Sequence, residues 1–254
     1  MKVLKFTAAI LVLVITACSS ETDRYLNSGK KHLEQGNLQR AEVDFNKALT
    51  RLNEAINNNP NDAKAFEKRC DIRLQQKEYE SAIDDCSRAI ELDPELVEAY
   101  SNRCHAHLED SYYQEALDDC NKAIEINPRF ADAYSNRGIV LFNIEDSQAA
   151  MPDLNQAIKI NPKSTLAYLR RGVIHFQSED YQAAIADFTQ VININSEIPE
   201  AYLLRGVSHA KLEDNLTSTK ALSDYRKYAE LLKKQGREKE VQEFLSGIEE
   251  LQNK

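Results

Sequence analysis

Apolar and polar positions along this chain follow a helical spacing, and the whole arrangement returns every 34 residues. A fixed period of that length marks a stacked array, whose units each need a neighbour to bury an apolar face. The spacing predicts two helices per unit. The first carries an aromatic at Phe66, Tyr100, Tyr134, Tyr168 and Tyr202, followed four residues later by Cys70, Cys104, Gly138, Gly172 and Gly206. The second carries small residues at Ala82, Ala116, Ala150 and Ala184, and again at Ala89, Ala123 and Ala157, with Val191 as the larger exception. Small residues let two helix axes approach, and the aromatic fills the wider gap between them. Pro60, Pro94, Pro128 and Pro162 stop the second helices, because proline donates no N–H and disfavours helix in the residue before it; Ser196 takes the fifth place.

Three departures from the period predict local changes. The first copy runs seven residues long, and Ala48, Leu52 and Ala55 keep their spacing through the insertion, which predicts two further turns on its second helix. The last copy carries three extra residues near Asn215–Thr217. Pro152 falls inside a predicted second helix and predicts a kink or a late start there. Beyond the array, Val241, Phe244, Leu245, Ile248 and Leu251 form one apolar stripe, which predicts a helix covering the open end; a docking helix or dimer surface is the alternative.

These columns resemble those of the tetratricopeptide repeat (TPR) family, from about Thr22 to Tyr228, although the chain has no Trp and places Arg where the family has Leu. The resemblance implies an all-α fold, a right-handed α-solenoid of about six helix-turn-helix units near 22–62, 63–96, 97–130, 131–164, 165–198 and 199–234, with a C-terminal capping helix over 235–254. It also implies a concave face, lined by the first helices, that receives a protein or peptide partner. Carried onto this chain, that face holds Lys68, Asn102, Asn136 and Arg170, then His105 and Val173, then Phe142 and Phe176. Its character passes from polar in the early units to apolar in the later ones. The asparagines suit capture of a peptide backbone, and apolar pockets supply most of the affinity. The YSNR runs at Tyr100–Arg103 and Tyr134–Arg137 resemble TPRs that clamp a C-terminal carboxylate, but Asp132 sits where a cation is needed, so that mode is rejected.

Met1–Ala17 carries Lys2 and Lys5 and then an apolar stretch without an acid, as a secretory signal does. Val14-Ile15-Thr16-Ala17-Cys18 resembles a bacterial lipobox, which implies cleavage behind Ala17, lipidation of Cys18 (palmitate included) and a short tether over 18–21; an ordinary signal peptide is the alternative. Ser19 resembles lipoproteins sorted to the outer membrane, which implies a place on its periplasmic face. Removing the leader takes two lysines and no acid from a net charge of −9, leaving −11. Such acidity argues against nucleic acid as a partner.

Arg69, Arg103, Arg137, Arg171 and Arg205 form one column, and Asp85, Asp119, Asp153, Asp187 and Asp224 another, which predicts Arg–Asp pairs bridging the two helices of each unit. His32, His107, His175 and His209 share a column too, too widely spaced for metal ligands, and no metal or cofactor is predicted. Cys70, Cys86, Cys104 and Cys120 fall in two columns. Cys70–Cys86 and Cys104–Cys120 disulfides, a Cys86–Cys104 link, or free thiols all remain open. No nucleophile, zinc or phosphate-loop motif is present. The reading is therefore a non-catalytic binding scaffold, lipid-anchored in the bacterial envelope and serving assembly of an envelope complex. An adaptor for an envelope protease or peptidoglycan enzyme, and an enzyme subunit, are the alternatives.

Overall fold

A computed structural model describes residues 21–144, 147–215 and 218–252. The expected leader over 1–17, the lipid site Cys18 and the tether up to residue 20 lie outside the described residues. All regular structure among the described residues is helical. Helix α1 spans 21–34 and α2 Leu38–Asn58; the first helices that follow are α3 (Ala63–Gln75), α5 (Val97–Glu109), α7 (Ala131–Asn143), α9 (Thr165–Gln177) and α11 (Pro199–Leu212). Their second helices are α4 (Tyr79–Leu92), α6 (Tyr113–Ile126), α8 (Ser147–Ile160), α10 (Tyr181–Ile194) and α12 (Thr219–Lys234), and α13 (Glu238–Gln252) ends the chain. The chain divides into two compact units, Met1–Glu115 and Ala116–Lys254.

Two backbone devices repeat along the chain and account for the hairpins. Helices α3, α5, α9 and α11 are each followed by a residue in the left-handed region, Lys77, Ser111, Glu179 and Asp214, and α1 is followed by Gly36. At the first of these, Lys77 N–H bonds to the Leu74 carbonyl and Glu78 N–H to that of Arg73, which satisfies the last carbonyls of α3 while the chain reverses. Each second helix from α2 to α10 ends on Asn or Asp. The side chains of Asn59, Asp93, Asn127, Asn161 and Asn195 each accept a hydrogen bond from the backbone N–H two residues on. This turn survives at Asn195-Ser196, where the proline column breaks, so the amide carries the turn and proline adds stiffness.

In the first unit α2 is 21 residues long against 14 for α4, the two added turns that the stretched copy predicts. Phe45, Ala48, Leu52 and Ile56 run along its buried stripe and pack with Ala65 and Ile72 of α3. Cys70 and Cys86 are bonded to each other across α3 and α4, with Cα atoms 5.4 Å apart and both side chains fully buried.

Glycine stands in the same seam elsewhere, and there the opposite helix supplies a bulky side chain. A Cβ on Gly172 would come within 2.7 Å of the Phe188 ring, one on Gly206 within 2.7 Å of Tyr225, and one on Gly138 within 3.0 Å of Leu154. The seam is thus filled either by a large side chain lying over glycine or by a pair of bonded cysteines. In the second unit each helix packs on the next from α7 to α13, and α9 also touches α7 and α11, so the first helices form the inner wall of that unit.

Helix α8 does not start late. It begins at Ser147, in register with Tyr113 and Tyr181 one period either side, and runs through an exposed Pro152. Ala150, Leu154 and Ala157 are fully buried on its other face, and that packing holds the helix across the missing hydrogen bond. Helix α13 lies against α12. Phe244 meets the edges of Tyr225 and Tyr228 at 5.6 and 4.9 Å, and Ile248 joins the cluster of Ala210, Ala221 and Tyr225. It covers the apolar end of the last hairpin.

Candidate functional site

The arginine column is part of the scaffold. Arg137 donates from Nε and Nη2 to Asp153 at 2.6 and 2.7 Å, and from Nη1 to Asn121 at 2.7 Å, while its guanidinium lies 5.7 Å from the Tyr134 ring centre. Arg171 repeats this with Asp187, Asn155 and Tyr168, and Arg205 with Asp224, Thr189 and Tyr202. In the first unit Arg69 engages Asp85, Asn53 and Phe66, and Arg103 keeps Ser87 and Tyr100. Each acid lies in the arginine's own hairpin, whereas Asn121, Asn155 and Thr189 belong to the preceding one. Every such arginine therefore rivets two neighbouring copies. Hydrogen bonds to the carboxylates hold Arg137, Arg171 and Arg205 above the usual guanidinium range, against the opposing effect of burial.

The histidine column faces the same acids. His175 Nε2 lies 3.9 Å from Asp187 and His32 Nε2 3.9 Å from Asp44, while Arg73, in the same column, pairs with Asp85 at 2.8 Å. Burial lowers the pKa of His209 below the ordinary imidazole value, which favours its neutral form. These are seam residues. Among the described residues no three side chains of metal-binding type gather into a group.

The inner wall differs between the two units. In the first, its polar groups are occupied. Lys68 pairs with Asp23 at 2.5 Å, Lys30 with Asp71 at 2.5 Å, Asn102 donates to Glu67 at 3.3 Å, and His105 Nε2 lies 3.7 Å from Glu109. Burial pushes the Glu67 carboxyl up to about 7; Asp71 and Glu98 add to the rise, while Lys30 and Lys68 oppose it. A ligand entering here has to displace existing bonds, and the exchange returns little net affinity.

In the second unit Asn136 is only 5% exposed and already engaged, so it is withheld from a ligand, although sequence position puts it on the binding face. The wall beside it is apolar. Ile139 is buried, and Phe142, Val173 and Phe176 are half-buried, with Phe176 edge-on to Tyr181 at 5.5 Å. Leu203 and Val207 continue the surface on α11. Arg170 stands on this wall, half-buried, with a buried Nε that has no hydrogen-bond partner.

The residues that sequence reasoning passed over are those that fix the wall rather than line it. Asn53, Ser87, Asn121, Asn155 and Thr189 recur every 34 residues as the far partner of each arginine, and the Asn/Asp turn residues recur likewise. Their period was the available signal.

Family models described as tetratricopeptide repeat match residues 28–96, 120–151 and 166–198, which together make up more than half of the chain. No curated protein sequence matches the chain. Among solved structures, YrrB, described as a TPR protein with an unusual peptide-binding site, is 25% identical with a TM-score of 0.50, over 71% of this chain and 91% of its own. PilF of Pseudomonas aeruginosa is 20% identical with a TM-score of 0.58, over 91% and 99%. A thermophilic TPR protein of Thermus thermophilus, TTC0263, is 18% identical with a TM-score of 0.57, over 73% and 100%.

Proposed function

The chain belongs to the tetratricopeptide repeat family and is an interaction scaffold, and on that premise we propose that it is a non-catalytic one, held by a lipid on Cys18 at the periplasmic face of a bacterial outer membrane, which captures a protein or peptide partner for assembly of an envelope complex. The observation that carries this reading is the apolar wall of the second unit, where Phe142, Val173 and Phe176 stand half-buried on adjacent first helices. Apolar side chains left partly open on a rigid wall gain most from being covered by a partner. The likeness to YrrB, with its peptide-binding site, supports the same mode. Lipidation rests on the lipobox-like run ending at Cys18.

Crosslinking in intact cells followed by mass spectrometry tests the reading. A discrete partner crosslinks to the native chain, and Phe142→Ser with Phe176→Ser removes it while helicity by circular dichroism is unchanged. Retention of that partner by the double variant moves the site elsewhere. Cys18→Ser releases the chain from the membrane fraction; a variant that still sediments with membranes ends the lipid claim.

A further inference from the structure

The outward faces of the second helices also follow the period, and the pattern fails at α10. In α4 the four outward places are Glu80, Asp84, Arg88 and Glu91, and Arg88 donates to Glu91 at 2.8 Å. One period on, α6 holds Gln114, Asp118, Lys122 and Glu125, and Lys122 donates to Glu125 at 3.0 Å. Helix α12 has Thr219, Ser223, Lys227 and Glu230, again with a cation–carboxylate bond, at 2.8 Å. Such pairs one turn apart keep an exposed helix face charged and solvated. Helix α8 retains one charge, Lys159, beside Pro152 and Gln156. In α10 the same four places are Gln182, Ala186, Gln190 and Asn193. All four are exposed, and none of their side-chain amides is hydrogen-bonded among the described residues.

These residues form one stripe. Positions i, i+4, i+8 and i+11 stay within about 80° of one another around a helix, opposite the buried Ala184, Phe188 and Val191. The one charged residue of α10, Asp187, is buried and bound to Arg171. Charged residues are depleted at the centre of an interface and abundant on a surface that only meets water. An exposed face with none, on a chain that is 29% charged, therefore has the composition of an interface.

The same composition selects the occupant. A charged partner meets no counter-charge on the stripe, and a membrane or apolar helix meets no large apolar side chain. An amide both donates and accepts, so a row of amides complements a copy of itself turned about a two-fold axis. A chain with a net charge of −9 repels its own copies, and here two of them meet without opposing like charges. Ala186, in the middle, lets two α10 helices approach closely where they cross.

We infer that the chain associates with a second copy of itself through the outward face of α10, the two helices crossing at Ala186 and exchanging amide hydrogen bonds from Gln182, Gln190 and Asn193. The inner wall of the second unit belongs to the first helices, so this contact leaves it open and stands independently of what it binds. One helix face from each copy buries less than a permanent dimer needs, so the pairing is reversible and concentration-dependent.

Sedimentation equilibrium of the full chain at rising concentration tests this; the weight-average mass climbs from one chain towards two. Ala186→Glu sets two carboxylates face to face at the axis, and Ala186→Lys two ammonium groups. Each weakens self-association about ten-fold or more, with helicity by circular dichroism unchanged. An equimolar mixture of the two variants recovers association, because the charges now oppose. Asp84→Lys, the equivalent change on α4, leaves association as it was. A native chain that stays monomeric at every concentration overturns the inference. Association that survives both substitutions overturns it too, as does a mixture no stronger than either variant alone. A photo-crosslinker at position 186 that captures a different protein in cells, and no second copy, overturns the choice of occupant.

Discussion

Arg170 and Arg171 show how far one position along a helix changes what an arginine does. Arg171 joins its own hairpin to the preceding one through Asp187 and Asn155, and Asp187 is only 4% exposed. Arg171→Ala leaves that carboxylate buried without its cation, and the loss of stability is about 3 kcal/mol. Arg170→Ala removes a side chain with no partner, and its effect stays within about 0.5 kcal/mol. Chemical denaturation of the two variants measures the difference directly; equal losses would remove the distinction between the arginine that rivets two copies and its neighbour. The Arg–Asp pairing was legible because both columns keep the 34-residue period and lie near the helix seam. The third contact, to Asn121, Asn155 or Thr189, was not, because it depends on how far one hairpin is shifted against the next. The burial of Asn136 and the pairing of Lys68 were not legible for a related reason. Position in the repeat says which side of the helix a residue occupies, whereas its burial or pairing is decided by neighbouring helices.

Helix α8 tests propensity against packing. Proline inside a helix costs about 3 kcal/mol through the lost hydrogen bond and the clash with the preceding turn. Yet α8 keeps the same register and the same 14-residue length as α6 and α10, with Ala150, Leu154 and Ala157 fully buried. Burial on one face outweighs the local penalty. Because Pro152 is exposed, nothing is lost by replacing it, and Pro152→Ala raises stability by about 1–3 kcal/mol, read as a higher melting temperature. The long α2 was the opposite case, fully legible, since Ala48 and Leu52 kept the helical spacing through the insertion and are buried as that spacing required.

Over the whole molecule, the pH response has a component that belongs to Glu67. A free carboxyl of this kind titrates near 4.5 and this one near 7, so between those values the folded chain holds a proton that the unfolded chain has released. The stability associated with that proton is complete below about 4.5 and lost as the pH rises through about 7. Glu67→Gln stays uncharged throughout and still accepts from Asn102. It is therefore more stable than the parent at pH 8, by about 1–2 kcal/mol after solvent screening, and no more stable at pH 4. Melting curves at the two pH values check it, and an equal gain at both would show that burial of the charge is not the cause. The cysteine pair has a consequence of a different kind. Repeat arrays come apart by peeling, one copy after another from a free end. A covalent link between α3 and α4 keeps their sulfurs together through such an event, so peeling that starts at the N-terminus meets a closed loop it cannot open and re-zips from there. In a newly made chain whose thiols are still reduced that stop is missing, and the same hairpin unravels with its neighbours.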